Sequence, residues 1–466
     1  MKQLVDLKPF FEPRRVAIVG ASRSPGFGYG IPITLIQKGW GDRLYLVNAA
    51  GGRLHGMPVF KSIFDVPDPV DLAVVILAAP AVPGVLARIG KRGIKHVIIE
   101  SAGFAEVGDG GRVLQEQATE IAAAYGLRII GPNCVGIINN DNGFATVETL
   151  EESHTPGSTA IIAQSGAFGN VLLDSLPQRG LLISKAITLG NRMDTDECDA
   201  LEYLRTDPPT RAIMMYLEGA ADGTGLRESL ERVTREKPVI ILKSGRTAAG
   251  SSATASHTGS MSGKDKLYEA LFAQTGAIRA ASIDELIDLA RVFSTQPIPR
   301  GNGLGIVTTS GSLGALATDV AVTSGLAVPA LTQSTVERLK TDAPSWMNVR
   351  NPLDVGPSGL FAKAISALIE DPRIDMVLAI PLLPFSAVKL YQQLGFEPET
   401  WFGKIASVHE GAPEKPLITC AFGHGEFLDI MARICGPAVP LLKSPENAVT
   451  ALAALWRYGT WKENRP

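Results

Sequence analysis

This chain has little to cross-link it and little to draw it to a charged or apolar surface. Its four cysteines, Cys134, Cys198, Cys420 and Cys435, are widely spaced and form no CxxC pair. That argues against a disulfide framework and against a zinc site. Neither sign of charge is in excess: 44 basic and 47 acidic side chains leave a net charge of −3. No global field therefore attracts nucleic acid or an anionic membrane. The longest apolar stretch, residues 72–87, is shorter than a membrane span and is cut by Pro80 and Pro83. The opening residues, Met1-Lys2-Gln3-Leu4-Val5-Asp6-Leu7, lack the apolar centre of a signal peptide. The expectation is a cytoplasmic globular protein without a metal site, in which local devices such as helix N-termini hold any anionic ligand.

What is present is a regular alternation. Short apolar runs end near Gly, Pro, Asn or Ser: Val16-Ala17-Ile18-Val19, Leu44-Tyr45-Leu46-Val47, Leu72-Ala73-Val74-Val75-Ile76-Leu77, Val97-Ile98-Ile99 and Arg128-Ile129-Ile130. Runs that are apolar on both faces read as buried parallel strands. Helical patterns such as residues 114–125 separate them, which is the signature of an α/β chain with right-handed crossovers. The 466 residues suffice for about three domains. Polar, Pro- or Gly-rich breaks at residues 148–157 and 294–303 place the expected domains at 1–150, 151–298 and 299–466. The last two open alike, with Ile161-Ile162-Ala163-Gln164-Ser165-Gly166-Ala167-Phe168-Gly169 against Ile306-Val307-Thr308-Thr309-Ser310-Gly311-Ser312-Leu313-Gly314. A duplicated flavodoxin-like unit explains this, as does local convergence on a strand-to-helix turn.

The first strand runs into Gly20-Ala21-Ser22-Arg23-Ser24-Pro25-Gly26, followed by a helix from about Ile33. Main-chain amides in such a loop bind phosphate, although a tight strand-to-helix turn needs the same glycines. NAD fits poorly. Ser22 stands where GxGxxG has its second glycine, and the second strand ends in Asn48 rather than an acidic residue for the ribose. A Rossmann-like domain holding another adenine nucleotide, such as coenzyme A, fits better.

One of the six histidines has an unusual setting. His257 lies in a stretch, residues 245–263, that is almost entirely Gly, Ala, Ser and Thr. Such a segment suits a group that moves between sites or accepts a bulky phosphate, and it equally suits a surface loop with an incidental histidine. Glu218 follows the strand-like run Ala212-Ile213-Met214-Met215-Tyr216-Leu217, and Lys243-Ser244-Gly245-Arg246 follows the next one. Two adjacent strand ends would bring Glu218 and His257 together. A carboxylate on one imidazole nitrogen fixes the tautomer and frees the other nitrogen to attack phosphorus. The Ser165-Gly166 turn supplies a helix N-terminus for the phosphate.

At these residues the chain resembles the α subunits of the NDP-forming acyl-CoA synthetases, the group that includes ADP-forming acetate–CoA ligase and, more distantly, succinyl-CoA synthetase. The likeness runs through Gly20-Ala21-Ser22-Arg23, Ser101-Ala102-Gly103-Phe104-Ala105-Glu106, Gly131-Pro132-Asn133-Cys134-Val135-Gly136, Gln164-Ser165-Gly166 and Tyr216-Leu217-Glu218-Gly219. It continues through Lys243-Ser244-Gly245-Arg246, Ser256-His257-Thr258-Gly259 and Asn351-Pro352-Leu353-Asp354-Val355. The resemblance implies a CoA-binding Rossmann-like domain followed by two flavodoxin-like domains. It makes His257 a phosphoryl carrier, Glu218 its orienting carboxylate, and Ser165, Gly166 and Ala167 the phosphate cradle. Gly20, Ser22, Arg23, Ser24, Pro25, Asn48, Glu100, Ser101 and Ala102 fall on the CoA-contacting segments.

The reaction implied is the reversible conversion of acyl-CoA, ADP and phosphate to acid, CoA and ATP through an acyl phosphate, with acetate or another small acid expected. One departure is Val47-Asn48-Ala49-Ala50, where relatives carry Asn-Pro-Lys or a nearby lysine, so Arg23 or Arg53 would supply the phosphate contacts. No ATP-grasp pattern is found in these residues. A separate β subunit carrying ADP or ATP with Mg²⁺ is therefore expected, in an α2β2 assembly. The alternative is a CoA- or acyl-CoA-binding regulator of the same fold without catalysis.

Overall fold

Strand runs that are buried on both faces dominate the interior. The computed structural model describes residues 4–26, 28–148, 151–258, 264–398, 402–403 and 405–465, without the side chains of 151, 152, 167 and 254–258. It divides into two units, Met1–Leu286 and Ile287–Pro466.

The first unit holds two seven-stranded sheets. In spatial order the first sheet is Arg53–Leu54, Met57–Phe60, Leu44–Val47, Val16–Val19, Leu72–Val75, His96–Ile99 and Arg128–Ile130. All pairs are parallel except the edge hairpin Arg53–Leu54 with Met57–Phe60. Val16–Val19 and Leu72–Val75 are buried at every position, as strands covered by helices on both faces must be. The order reverses at Val16–Val19, and beyond the carboxyl ends at such a reversal a crevice forms.

The second sheet runs Ile278–Ala280, Val239–Lys243, Ala212–Leu217, Thr159–Ala163, Ile183–Thr188, Ile137–Asn139 and Phe144–Ala145. Its last two strands form an antiparallel edge and precede residue 150 in the chain. The order reverses at Thr159–Ala163, so Gln164, Ser165 and Gly166 emerge at a second crevice. Glu218 emerges beside them, because Ala163 pairs with Tyr216.

The second unit holds one parallel sheet: Leu353–Asp354, Leu304–Thr308, Met376–Ile380, Leu417–Cys420 and Leu441–Leu442. Its core includes Val307, Ile365, Val377 and Leu417. The four cysteines are buried and free. Among the described residues no helix is long and apolar enough to cross a membrane, and no group of three His, Cys, Asp or Glu could hold a metal ion.

Candidate functional site

A cavity of about 850 Å³ lies at the carboxyl ends of both sheets of the first unit. That volume is in the range of sites that enclose small molecules. From the first sheet it is lined by Gly20, Ser22, Asn48, Glu100, Ser101 and Ala102, and from the second by Gln164, Ser165, Gly166 and Glu218. Residues 62 to 198 positions apart in sequence are thus brought together because both crevices open onto one space. Arg23, Ser24, Pro25 and Ala167 are not among the described lining residues.

The glycine loop is locally self-braced. Gly20 sits at φ 106°, and a Cβ there would meet the Ile76 carbonyl oxygen at 2.0 Å, so only glycine lets the strands pass. The Ser22 hydroxyl donates to the Ser24 carbonyl at 2.9 Å, and Asn48 Nδ2 donates to the Ala21 carbonyl at 2.9 Å, tying the loops after two neighbouring strands. The Arg23 guanidinium donates to the Gly51 carbonyl. The Lys61 stem lies against Gly51, whose added Cβ would be 3.0 Å from Cε. Two cations therefore flank the Gly51-Gly52 turn, a donor set suited to phosphate. Lys61 carried no role in the sequence reading, because it lies ten residues beyond the turn it reaches. Arg53 instead donates to the Gly56 carbonyl.

On the other side, Ser165 caps the helix Gly166–Ser175, its side chain accepting from the Phe168 amide at 3.4 Å. An anion at this N-terminus is favoured by roughly 0.3–1 kcal/mol, up to ~2 when partly buried. Glu218 is held by its own backbone. The Glu218 and Gly219 amides donate to Gln164 Oε1 at 2.6 and 3.1 Å, and Gln164 Nε2 donates back to the Gly219 carbonyl at 2.8 Å. Lys243 Nζ donates to the Glu218 carbonyl at 2.8 Å and lies 4.6 Å from the centre of the Tyr268 ring. Burial pushes the Lys243 ammonium down to about 8. Arg192 Nη1 completes the brace with bonds to the Gly219 carbonyl at 2.7 Å and to Glu197 Oε2 at 3.1 Å. The role of Gln164 was missed from sequence; a glutamine directly after a buried strand at a topological reversal is the signal that could have found it.

His257 falls in the helix Ala248–Thr258. The small-residue stretch expected to be an open loop is thus helical as far as Thr258, a conformation that its alanines favour. The His257 side chain and residues 259–263 lie outside the described residues. Asn170 lines the cavity and Phe168 packs at 4.4 Å on Tyr216.

Two family models match the chain: a CoA binding domain over residues 14–140 and a succinyl-CoA ligase like flavodoxin domain over residues 156–293. The chain is 36% identical to the acetate–CoA ligase (ADP-forming) I subunit alpha of Pyrococcus furiosus, over 98% of this chain and 99% of that one. It is 37% identical to the acetate–CoA ligase (ADP-forming) of Methanocaldococcus jannaschii over 98% of its own length and 64% of that protein's. Among solved structures it superposes with a TM-score of 0.88 on the dinucleotide forming acetyl-coenzyme A synthetase 1 of Ca. Korarchaeum cryptofilum in complex with phosphate and ADP. That chain is 29% identical, and the match covers 98% of each.

Proposed function

The chain belongs to the family of ADP-forming acetate–CoA ligase α subunits, and from that membership we propose that it performs the acyl-group half of a reversible acyl-CoA, ADP and phosphate to acid, CoA and ATP conversion. The carrying observation is the single cavity that joins the CoA-domain strand ends to the Ser165 helix and Glu218.

In this reading the segments at Gly20, Ser22, Asn48, Glu100, Ser101 and Ala102 receive CoA, with Arg23 and Lys61 neutralising its phosphates at the Gly51-Gly52 turn. Phosphate attacks the acyl-CoA carbonyl, CoA leaves, and an acyl phosphate forms beside Ser165, Gly166 and Ala167. His257 takes the phosphoryl group and releases the carboxylic acid. Glu218, clamped by Gln164 and Lys243, fixes the imidazole tautomer and balances the cationic phosphoimidazole. His257 then delivers the phosphoryl group to ADP.

The relatives named as subunit alpha imply another subunit, and about a third of the M. jannaschii protein lies outside the match. We assign the ADP and Mg²⁺ site to such a partner, an ATP-grasp β subunit, in an α2β2 assembly. Acetate or another small acid is the proposed acyl group, and domains 1–150, 151–298 and 299–466 are the proposed limits. Incubating the α–β complex with γ-labelled ATP is expected to give acid-labile, base-stable label on the α chain, and His257→Ala is expected to abolish it. Label persisting in that variant sinks the assignment.

A further inference from the structure

Glu100 is a buried carboxyl group with one oxygen left without a partner among the described residues. It follows the strand His96–Ile99, lines the cavity and is 2% exposed. Its Oε1 has no hydrogen-bond partner among the described residues. Buried polar atoms are nearly always bonded, so each exception asks for a reason. The groups that face it are the Thr146 hydroxyl, the Cys134 thiol and the Glu148 carboxylate, which itself accepts from the Gly30 amide. No cation is among them.

Gly136 makes this arrangement possible. At φ 87° it leaves room where a Cβ would be 1.9 Å from Thr146 Oγ1 and 2.9 Å from Glu100 Oε1. The glycine that closes Gly131-Pro132-Asn133-Cys134-Val135-Gly136 therefore shapes the surroundings of Glu100 rather than only a turn. Burial first, and the neighbouring charge of Glu148 second, push the Glu100 carboxyl well above the usual carboxylate range. A carboxyl tuned upward in this way exchanges a proton nearer neutral pH than an exposed one does.

The chemistry in this cavity needs such a group. When CoA attacks an acyl phosphate, the C–S bond forms, the C–O bond to phosphate breaks, phosphate departs, and the S–H proton must be accepted. Among the described lining residues only Glu100, Cys134 and Glu218 carry an ionisable side chain. Cys134 donates its own thiol to the Ile99 carbonyl at 3.4 Å, and burial pushes that thiol up. Glu218 belongs to the phosphoryl side. We propose that Glu100 accepts the sulfhydryl proton of CoA as the thioester forms and returns it to the departing sulfur when the thioester is cleaved. The inference rests on the acyl-CoA ligase reading above.

The test uses the α–β complex with Glu100→Gln and Glu100→Asp. Phosphoryl transfer from γ-labelled ATP to the α chain moves no sulfhydryl proton and serves as the control for the underlying reading. If the wild-type complex takes no label, the ligase reading fails, and the calorimetry below still judges Glu100. With labelling intact, Glu100→Gln is expected to slow acyl-CoA formation about 10²–10⁴-fold and to remove the acid limb of its pH profile, with Glu100→Asp recovering part of the rate. Calorimetric titration of CoA in two buffers of different ionisation heat is expected to show a proton change in the wild type that Glu100→Gln lacks. Acyl-CoA formation at the wild-type rate in Glu100→Gln, or an identical proton change in both proteins, overturns the proposal.

Discussion

The turns after Thr159–Ala163 and after Leu304–Thr308 are built on one plan and serve different ends. In both, the residue before the serine reaches across to the end of the neighbouring parallel strand. Gln164 takes the Glu218 and Gly219 amides, and the Thr309 hydroxyl accepts from the Leu382 amide at 2.8 Å and donates to the Leu382 carbonyl at 2.7 Å. In both, a serine then opens a helix, Gly166–Ser175 or Gly311–Thr323. The difference is what the clamp holds. In the first unit it is a buried carboxylate facing a cavity; in the second it is a leucine. A shared strand–turn–helix plan thus supplies an anion-ready helix end twice, while the group set beside it depends on the single residue presented by the next strand.

Breaking the clamps is expected to give the largest contrast. Gln164→Leu strands the Glu218 and Gly219 amides in a buried place, at about 2–3 kcal/mol of stability, and lets Glu218 drift, at about 10–100-fold in turnover. Thr309→Val should cost about 1–2 kcal/mol in the unfolding of its own unit. Urea unfolding followed by single-turnover assays separates the two, and an unchanged turnover in Gln164→Leu means that the clamp does not position Glu218.

The pH dependence of stability sharpens the contrast further. Glu100 titrates above its unfolded value of about 4.3, so its folded form is favoured fully below that pH and loses the advantage as pH rises through the raised folded value. Asp371 in the second unit behaves oppositely. Burial alone would raise its carboxyl, but hydrogen bonds from the Arg373 and Thr332 amides and the Thr332 and Thr335 hydroxyls hold it below the usual range. Its contribution is present above about 3.9 and lost as pH falls through the lower folded value. Thermal unfolding across pH should therefore show Glu100→Gln gaining on the wild type as pH rises. Asp371→Asn should lose to it except in acid, and parallel curves for either variant contradict the assignment.

The smallest expected difference lies in the caps. Ser165 accepts from the Phe168 amide at 3.4 Å, whereas Ser310 makes no capping bond and pairs its hydroxyl with Ser312 at 3.0 Å. Ser165→Ala should cost about 0.5–1 kcal/mol and Ser310→Ala close to nothing, read as shifts in the unfolding midpoint. Equal shifts would mean that the two helix starts are equivalent.

Much of this was legible in the residues themselves. The runs at Val16, Leu44, Leu72 and Arg128 were readable as strands because a chain buried on both faces has no polar alternation to hide its period. Glu218 could be placed at a strand end because a carboxylate directly after Leu217 marks where burial stops. The helix at Ala248–Thr258 was hidden, since Gly, Ala, Ser and Thr carry almost no hydrophobic period, and local helix preference decided the conformation.

The sequence by itself determined the α/β alternation, the two strand-to-helix serine turns and the family, because these rest on periodicity and on contiguous motifs. Only the tertiary structure decided that Glu100 Oε1 has no bonded partner among the described residues, that Gly136 makes room for Thr146 beside it, and that Gln164 reaches Glu218. Each of these relations joins segments tens of residues apart. No local spacing encodes them; strand order and the meeting of two crevices do.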